Sequence, residues 1–151
     1  MPSPIGNFFV KTLLNSPLHP LMGRNIALIT VTGRKTGRSI STPVNTVDLE
    51  GALTVISLPE RTWWRNLRGG SAARLRQAGK TFPVRADVVE TPEKVVIWLE
   101  KYFTQYPGYA KYFGIDSGPD GKPFPQDLER LAAERVIIRL FPNGKGQTPF
   151  G

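Results

Sequence analysis

The sequence predicts an α+β domain built around a small, barrel-like antiparallel sheet. Several short segments rich in β-branched and apolar residues follow one another with turn signals between them, which is typical of an antiparallel meander. Helical patterns come mainly after these segments instead of alternating with them, which argues against a doubly wound nucleotide-binding fold. The chain has 151 residues and no internal repeat, so we expect a single domain over residues 1–151.

The strands of this sheet are predicted from apolar and β-branched stretches. In chain order they read RNIALITVTG, RSISTPVNTVDLEG, ALTVISL, SAARLRQAG, KTFPVRADVVE and RVIIRLFP. We expect turns at Glu50-Gly51 and Gly79-Lys80. Pro83 has no backbone N–H, so it indicates an edge position or a bulge in its strand.

The longest helix is predicted from TPEKVVIWLEKYFTQY. Thr91 precedes a proline at its first position, and Pro107 with Gly108 ends it. Shorter helical segments read YAKYFG and DLERLAAE, with the loop DSGPDGKPFPQ between them. These helices follow the predicted meander and flank the sheet.

The N-terminal segment carries an apolar repeat but no membrane span. Its apolar residues recur at three- and four-residue spacing, which gives one face to a short helix. They are Ile5, Phe8, Phe9, Leu13 and Leu14. Polar residues and prolines interrupt the segment well before the roughly 18 apolar residues that a span requires. We therefore expect a cytoplasmic protein without stable membrane insertion, and peripheral membrane contact through this helix is the alternative.

The net charge of the chain is strongly positive. Twenty Lys and Arg against twelve Asp and Glu residues give a formal net charge of +8. Such a protein attracts polyanions, and nucleic acid, anionic lipid and a phosphate-bearing cofactor all satisfy this condition. A basic surface that serves solubility alone is the remaining interpretation.

The side chains needed for several kinds of catalysis are missing. The chain has no cysteine and one histidine, which excludes thiolate chemistry, disulfides and sulfur-based zinc sites. His19 lies in a proline-broken segment and no nucleophile elbow is present, so a serine triad is not supported. We predict no metal site, because no ligand set has a recognisable spacing.

The stretch TGRKTGRS concentrates positive charge directly after the first predicted strand. Its glycine spacing does not fit a P-loop, since three residues separate Gly33 from Gly37 and an arginine follows. The two glycines allow a tight turn with exposed amides, and the flanking side chains supply donors to an oxyanion. These side chains are Arg34, Lys35, Thr36 and Arg38. A basic hairpin tip without a ligand is the alternative.

The stretch TWWRNLRGG predicts a single helical turn, with Thr62 as its cap and the Gly-Gly pair at its end. Adjacent tryptophans on such a turn point about 100° apart. One of Trp63 and Trp64 is therefore expected in the core while the other faces a groove or a planar ligand. Asn66 shares the face of Trp63. Stacking on single-stranded nucleic acid is a less favoured alternative.

These motifs together resemble the deazaflavin-dependent nitroreductase family, a branch of the flavin/deazaflavin oxidoreductases. The resemblance rests on LITVTGRKTGRSISTPV, TWWRNLRGG and YPGYAKYFG and runs from about Asn25 to Phe141. It implies a split β-barrel of the FMN-binding kind, flanked by helices. It also implies coenzyme F420 as the cofactor, with FMN or another flavin as the alternative.

The resemblance assigns roles to individual residues. The cofactor-binding positions that it implies are Arg34, Lys35, Thr36, Gly37, Pro43, Trp63 and Asn66, and we add Arg38 and Ser57 as further candidates. Tyr109 and Tyr112 fall where this family places tyrosines over the substrate pocket. Either tyrosine, or Ser57, is our candidate for the hydroxyl that donates the proton completing a reduction. The implied activity is hydride transfer from the reduced cofactor to a quinone, enone or nitroaromatic compound.

Some positions depart from the family pattern. Ile40 stands where many relatives have a second arginine, for which Arg38 or Arg61 could compensate. Asn45 stands where some relatives have tyrosine, and the loop SLPERT is short. These differences leave the substrate open, and a non-catalytic flavin- or lipid-binding protein is the alternative function. We expect a small-molecule substrate, no nucleic-acid partner, and a monomer or a homodimer.

Overall fold

The computed structural model describes residues 26–142 of the chain. The predicted N-terminal helix and His19 lie outside the described residues.

An antiparallel sheet of seven strands forms the body of the domain. The strands are β1 (Ile26–Thr32), β2 (Ser39–Asn45), β3 (Val47–Leu49), β4 (Ala52–Ser57), β5 (Ser71–Gln77), β6 (Lys80–Val89) and β7 (Val136–Pro142). Their order in the sheet is β2-β1-β5-β6-β7-β4-β3. Two α-helices, α1 (Pro92–Gln105) and α2 (Pro125–Ala132), and 3-10 helices at Trp63–Leu67 and Pro107–Phe113 complete the described part of the domain.

The sheet curls until β2 approaches β4, although β1, β5, β6 and β7 lie between them in the sheet order. Among the described residues no hydrogen-bonded ladder joins the facing strands. We call the gap between residues 43–45 and 55–58 the seam. Pro43 fits this place, because proline is tolerated in an edge strand whose free side needs no donor. The prediction of an α+β split barrel with flanking helices is confirmed.

Two apolar clusters hold the sheet and helices together. The first fills the inside of the curled sheet and includes the 3-10 helix Trp63–Leu67, and the second lies between the outer face of β7 and the helices. The alternation of β7 serves both, because Ile138 and Leu140 point inward while Ile137 packs against the helical side. The first cluster therefore packs against the strands on both sides of the seam.

A buried guanidinium, which the sequence did not reveal, joins β7 to the β3–β4 turn and to α1. Arg139 donates to the carbonyl oxygens of Leu49 at 3.0 Å and Glu50 at 3.2 Å, and its guanidinium lies 3.8 Å from the ring centroid of Trp98 on α1. Burial lowers the pKa of Arg139, because desolvation disfavours the charged form. Its contacts tie β7, α1 and the turn before β4 together.

Several predicted boundaries differ from the structure. The predicted strand RSISTPVNTVDLEG is broken at Thr46, a buried residue that accepts a hydrogen bond from Gln77 at 3.0 Å. The β5–β6 turn lies at Ala78-Gly79, one residue earlier than predicted, and both residues have positive φ. Pro83 lies inside β6 and pairs with Arg74 of β5. On the other side, the ladder with β7 is described from Val84, which pairs with the last described residue, so an edge or a bulge at Pro83 stays a prediction.

Neither predicted threonine cap forms a side-chain hydrogen bond. Thr62 and Thr91 both occupy the position before their helices, as predicted, but their hydroxyls do not bond to the first turn. Proline at the start of α1 supplies the helical φ angle instead.

The packing of α1 gives a stability prediction. Leu99 is 0% exposed and Ile97 is 50% exposed on the same helix. Leu99→Ala should lower the free energy of unfolding by about 2 to 5 kcal/mol because it leaves a cavity in the core. Ile97→Ala, the matched control, should change it by about 0.5 kcal/mol or less. Urea denaturation of both variants measures this, and equal losses would contradict the assigned face of α1.

Candidate functional site

Two cavities lie on either side of the segment that enters the 3-10 helix Trp63–Leu67. The seam cavity has a volume of about 80 Å³, and its walls are Pro43, Val44, Asn45, Val55, Ile56, Ser57, Leu58, Arg61 and Trp63. The basic cavity has a volume of about 470 Å³, and its walls are Gly33, Arg34, Lys35, Thr36, Ile40, Thr62, Arg65, Asn66 and Arg68. Consecutive residues, Arg61, Thr62 and Trp63, line one cavity or the other, so the two are adjacent.

The loop between β1 and β2 forms one wall of the basic cavity and is braced by its own backbone. The Gly33 amide donates to the Arg38 carbonyl at 2.7 Å, and the Gly37 amide donates to the Gly33 carbonyl at 2.8 Å. A Cβ on Gly33 would lie 3.0 Å from Thr36 Oγ1, and Gly37 has a φ of +72°. Both positions therefore favour glycine, the first for space and the second for conformation.

This loop has fewer free backbone amides than the sequence predicted. The amides of Gly33, Arg34, Gly37 and Arg38 all donate within the protein. Of the amides of residues 33–38, those of Lys35 and Thr36 have no acceptor among the described residues. Both residues line the basic cavity.

The 3-10 helix Trp63–Leu67 forms the opposite wall and is joined to the loop by Asn66. Asn66 Oδ1 accepts from the Arg34 amide at 2.9 Å, and Asn66 Nδ2 donates to the Trp63 carbonyl at 3.1 Å. The Arg34 guanidinium donates to the Arg68 carbonyl. Asn66 therefore positions the loop relative to the helix that carries both tryptophans.

Four cationic side chains line the basic cavity, and no carboxylate is among its walls. Arg68 forms a two-pronged ion pair with Glu90 at 2.8 and 2.9 Å, and this hydrogen bonding raises the pKa of Arg68. Arg65 donates to the Pro59 carbonyl at 3.0 Å. The Lys35 ammonium has no hydrogen bond or ion pair within the described residues. Cations with donors left over are the groups that bind phosphate or carboxylate oxygens.

The two tryptophans are both buried, with Trp63 6% and Trp64 2% exposed. Trp64 packs in the barrel core and donates from Nε1 to the Leu58 carbonyl at 3.0 Å. Trp63 belongs to the same core and also forms a wall of the seam cavity. Both tryptophans thus belong to the core, and the expected division is seen only in that Trp63 also reaches a cavity wall. Neither ring offers the exposed face that stacking on nucleic acid needs.

The predicted site residues fall into three groups. Arg34, Lys35, Thr36 and Asn66 line the basic cavity, and Pro43, Ser57 and Trp63 line the seam cavity. Gly37 and Arg38 belong to the loop but line neither cavity. Tyr109 and Tyr112 also line neither, and Tyr109 stacks on Tyr106 at 5.3 Å beside α1.

Sequence reasoning missed Arg65 and Arg68 as site residues. Both lie in TWWRNLRGG, and their three-residue spacing on one turn was a signal that they share a face. They line the cavity beside Ile40, at the position where the sequence lacks an arginine. Positive charge thus reaches this cavity from the 3-10 helix instead of from β2.

Neither a membrane-spanning helix nor a metal-binding group is found among residues 26–142. Across residues 26–142, no helix is long and apolar enough to cross a membrane. In the same range, no three His, Cys, Asp or Glu side chains converge as a metal-binding group.

A family model described as F420H2-dependent quinone reductase matches residues 12–116. The chain belongs to this family. It is an F420-dependent oxidoreductase, and the resemblance to deazaflavin-dependent reductases that the sequence motifs indicated is confirmed. No curated protein matches the chain.

Solved structures extend this comparison. A protein of unknown function from Agrobacterium tumefaciens has a TM-score of 0.50 and 19% identity, over 82% of this chain and 51% of that one. An F420H2-dependent reductase has a TM-score of 0.46 and 21% identity, over 78% and 96%. An FMN-binding protein related to pyridoxamine 5'-phosphate oxidase from Nostoc punctiforme has 0.45 and 10%, over 93% and 81%. The Agrobacterium structure shares the fold of this chain.

The bridge formed by Asn66 gives a prediction for the F420-dependent oxidoreductase. Asn66→Ala removes the acceptor of the Arg34 amide, so hydrogen exchange at that amide should accelerate by about fivefold, the equivalent of one hydrogen bond. Asn66→Asp keeps an acceptor and is the control. Amide exchange followed by NMR measures both, and unchanged exchange in Asn66→Ala would show that the loop holds its position without the bridge.

Proposed function

We propose that the two cavities hold coenzyme F420, with its anionic portion in the basic cavity and its ring directed to the seam. One observation supports this proposal most strongly. A cavity lined by four cations adjoins a smaller, mainly apolar cavity, which opens between two strands that do not pair with each other. F420 combines a phosphodiester and acidic tail with a planar ring, so its two parts match the two cavities in charge and polarity.

The residues present fit the anionic portion of the cofactor. Lys35 has no competing partner within the described residues, while Arg34 and Arg68 are already held by the protein. Lys35 therefore makes the main direct contact with the phosphate, and Arg34, Arg65 and Arg68 add field and spare donors. The amides of Lys35 and Thr36 lie in the same loop and are available to the same oxyanion.

The seam cavity, at about 80 Å³, is smaller than a three-ring chromophore, and its walls suit one edge of the ring. Val44, Val55 and Trp63 provide apolar walls that exclude water from the reaction. Pro43 contributes a rigid stretch of backbone without an N–H. When bound, the reduced deazaflavin supplies the hydride that reduces the substrate, so the protein needs no nucleophile or metal of its own.

The substrate class we propose is an electron-poor acceptor such as a quinone, an enone or a nitroaromatic compound. Reduction of such an acceptor needs a proton as well as a hydride, and Ser57 is the hydroxyl among the predicted donors that lines the seam cavity. Ser57 is thus our first candidate for holding that proton at Oγ. Tyr109 and Tyr112 stay predictions for the same role, since they line neither cavity.

The contact of Lys35 gives a binding prediction. Lys35→Ala should weaken binding of oxidised F420 by about tenfold or more, because it removes a charged hydrogen bond. Lys80→Ala changes the net charge equally, but Lys80 follows the β5–β6 turn at the Ile26 end of β1, away from the loop after Thr32. The affinity of Lys80→Ala for F420 should stay within about twofold of that of the unmodified protein. Quenching of F420 fluorescence measures both constants, and equal losses would reduce the effect to overall charge.

Turnover separates an oxidoreductase from a non-catalytic binding protein. Oxidation of F420H2 by a panel of a quinone, an enone and a nitroaromatic compound, followed by absorbance, should be accelerated by the protein for at least one class. Ser57→Ala should lower kcat by about a hundredfold if Ser57 is the proton donor, a larger factor than any accompanying loss of F420 affinity. Tight binding of F420H2 without acceleration for any acceptor would instead favour a carrier of the cofactor or of another flavin.

A further inference from the structure

Asn45, one of the walls of the seam cavity, carries a buried acceptor without a partner among residues 26–142. Asn45 is 9% exposed, and its side-chain Oδ1 is buried with no hydrogen-bond partner in the described part of the chain. Buried polar atoms are nearly always satisfied in folded proteins, and an orphan has a free-energy cost that a bound ligand can remove. Asn45 ends β2, directly opposite Ile26 in the ladder with β1.

The seam cavity carries donors at Ser57, Arg61 and Trp63, but none of them bonds to Asn45 Oδ1. Pro43 lacks an N–H, and Val44 and Val55 present apolar walls to the cavity. Gln77, an amide that reaches the adjacent residue, donates to Thr46 Oγ1 and not to Asn45. The protein thus leaves one acceptor without a partner in an otherwise mainly apolar cleft, an arrangement typical of a polar group that fixes the orientation of a ligand.

We propose that Asn45 Oδ1 accepts a hydrogen bond from an N–H on the edge of the cofactor ring and so fixes the orientation of the ring in the seam. This inference rests on the proposed function. A carbonyl oxygen can only accept, and quinones, enones and nitro groups present acceptors, so none of these substrates can satisfy it. The pyrimidine portion of a deazaflavin carries an imide N–H, which is a donor of the required kind. The Oδ1 atom of Asn45 is therefore suited to the cofactor and not to the acceptor substrate.

The polarity of Asn45 has a consequence for the protein without ligand. Replacing an orphaned buried acceptor with an apolar side chain of similar volume removes a desolvation cost. Asn45→Leu should therefore leave the melting temperature of the unliganded protein unchanged or raise it. Thr54 is the matched control, because it is a buried polar residue on β4 outside the cavity walls whose hydroxyl is satisfied by the Ala52 carbonyl at 3.2 Å. Thr54→Val should lower the melting temperature.

The test combines this melting temperature with binding of three probes by fluorescence quenching. These are oxidised F420, the deazaflavin chromophore without its phosphodiester tail, and the same chromophore methylated at the imide nitrogen. Asn45→Leu should weaken binding of the first two by about tenfold, while Thr54→Val should not. Methylation should cost the unmodified protein a similar factor and cost Asn45→Leu little. The methylated probe tests the proposal in the unmodified protein even if Asn45→Leu fails to fold.

The outcomes separate this inference from the proposed function. Tight binding of F420 that neither Asn45→Leu nor imide methylation weakens would overturn the role of Asn45 and leave the proposed function standing. A melting temperature for Asn45→Leu that falls as far as that of Thr54→Val would also overturn it, because Oδ1 would then have a partner in the protein. Failure of the unmodified protein to bind F420 would overturn both.

Discussion

The seam between β2 and β4 is the constraint on which the site depends. A curled antiparallel sheet brings its two edges together, and the edges either pair and close the barrel or stay apart and leave a cleft. Here Pro43 removes a donor from β2, and the ladder of β3 with β4 reaches only to Thr54, so Val55 to Ser57 have no strand on that side. The cleft is therefore a product of strand pairing, and the closed core on the other side keeps it from collapsing.

The second requirement is that positive charge is collected next to this cleft and held there. Like charges repel, so four cationic side chains around one cavity raise the energy of the unliganded protein. The structure limits this cost by engaging Arg34 with a carbonyl oxygen and Arg68 with Glu90. Lys35 keeps its charge available within the described residues. The arrangement exchanges some stability for an anion site, a balance that is common where binding depends on preorganised charge.

The sequence was most informative where local pattern decides the outcome. Stretches of apolar and β-branched residues predicted β1 and β7 closely. What local pattern could not show were contacts between distant segments. The bridge from Asn66 to the Arg34 amide joins residues 32 positions apart, and the bond from Arg139 to Leu49 spans 90 positions.

The same reason explains the site residues that were missed. Arg65 and Arg68 received no role from the motifs, and only the position of the 3-10 helix across from the loop shows that they supply the cations that Ile40 does not. Asn45 looked like a departure from a family pattern, and only burial without a partner gave it a physical meaning. Burial and pairing are properties of the assembled fold, so a motif alone does not reveal them.

A crystal structure of the protein with oxidised F420 tests the central claim most directly. We expect a phosphate oxygen within hydrogen-bonding distance of Lys35 Nζ. We also expect an edge of the ring between β2 and β4, within hydrogen-bonding distance of Asn45 Oδ1. A cofactor bound elsewhere, such as beside α1 and Tyr109, with the seam cavity empty, would contradict it.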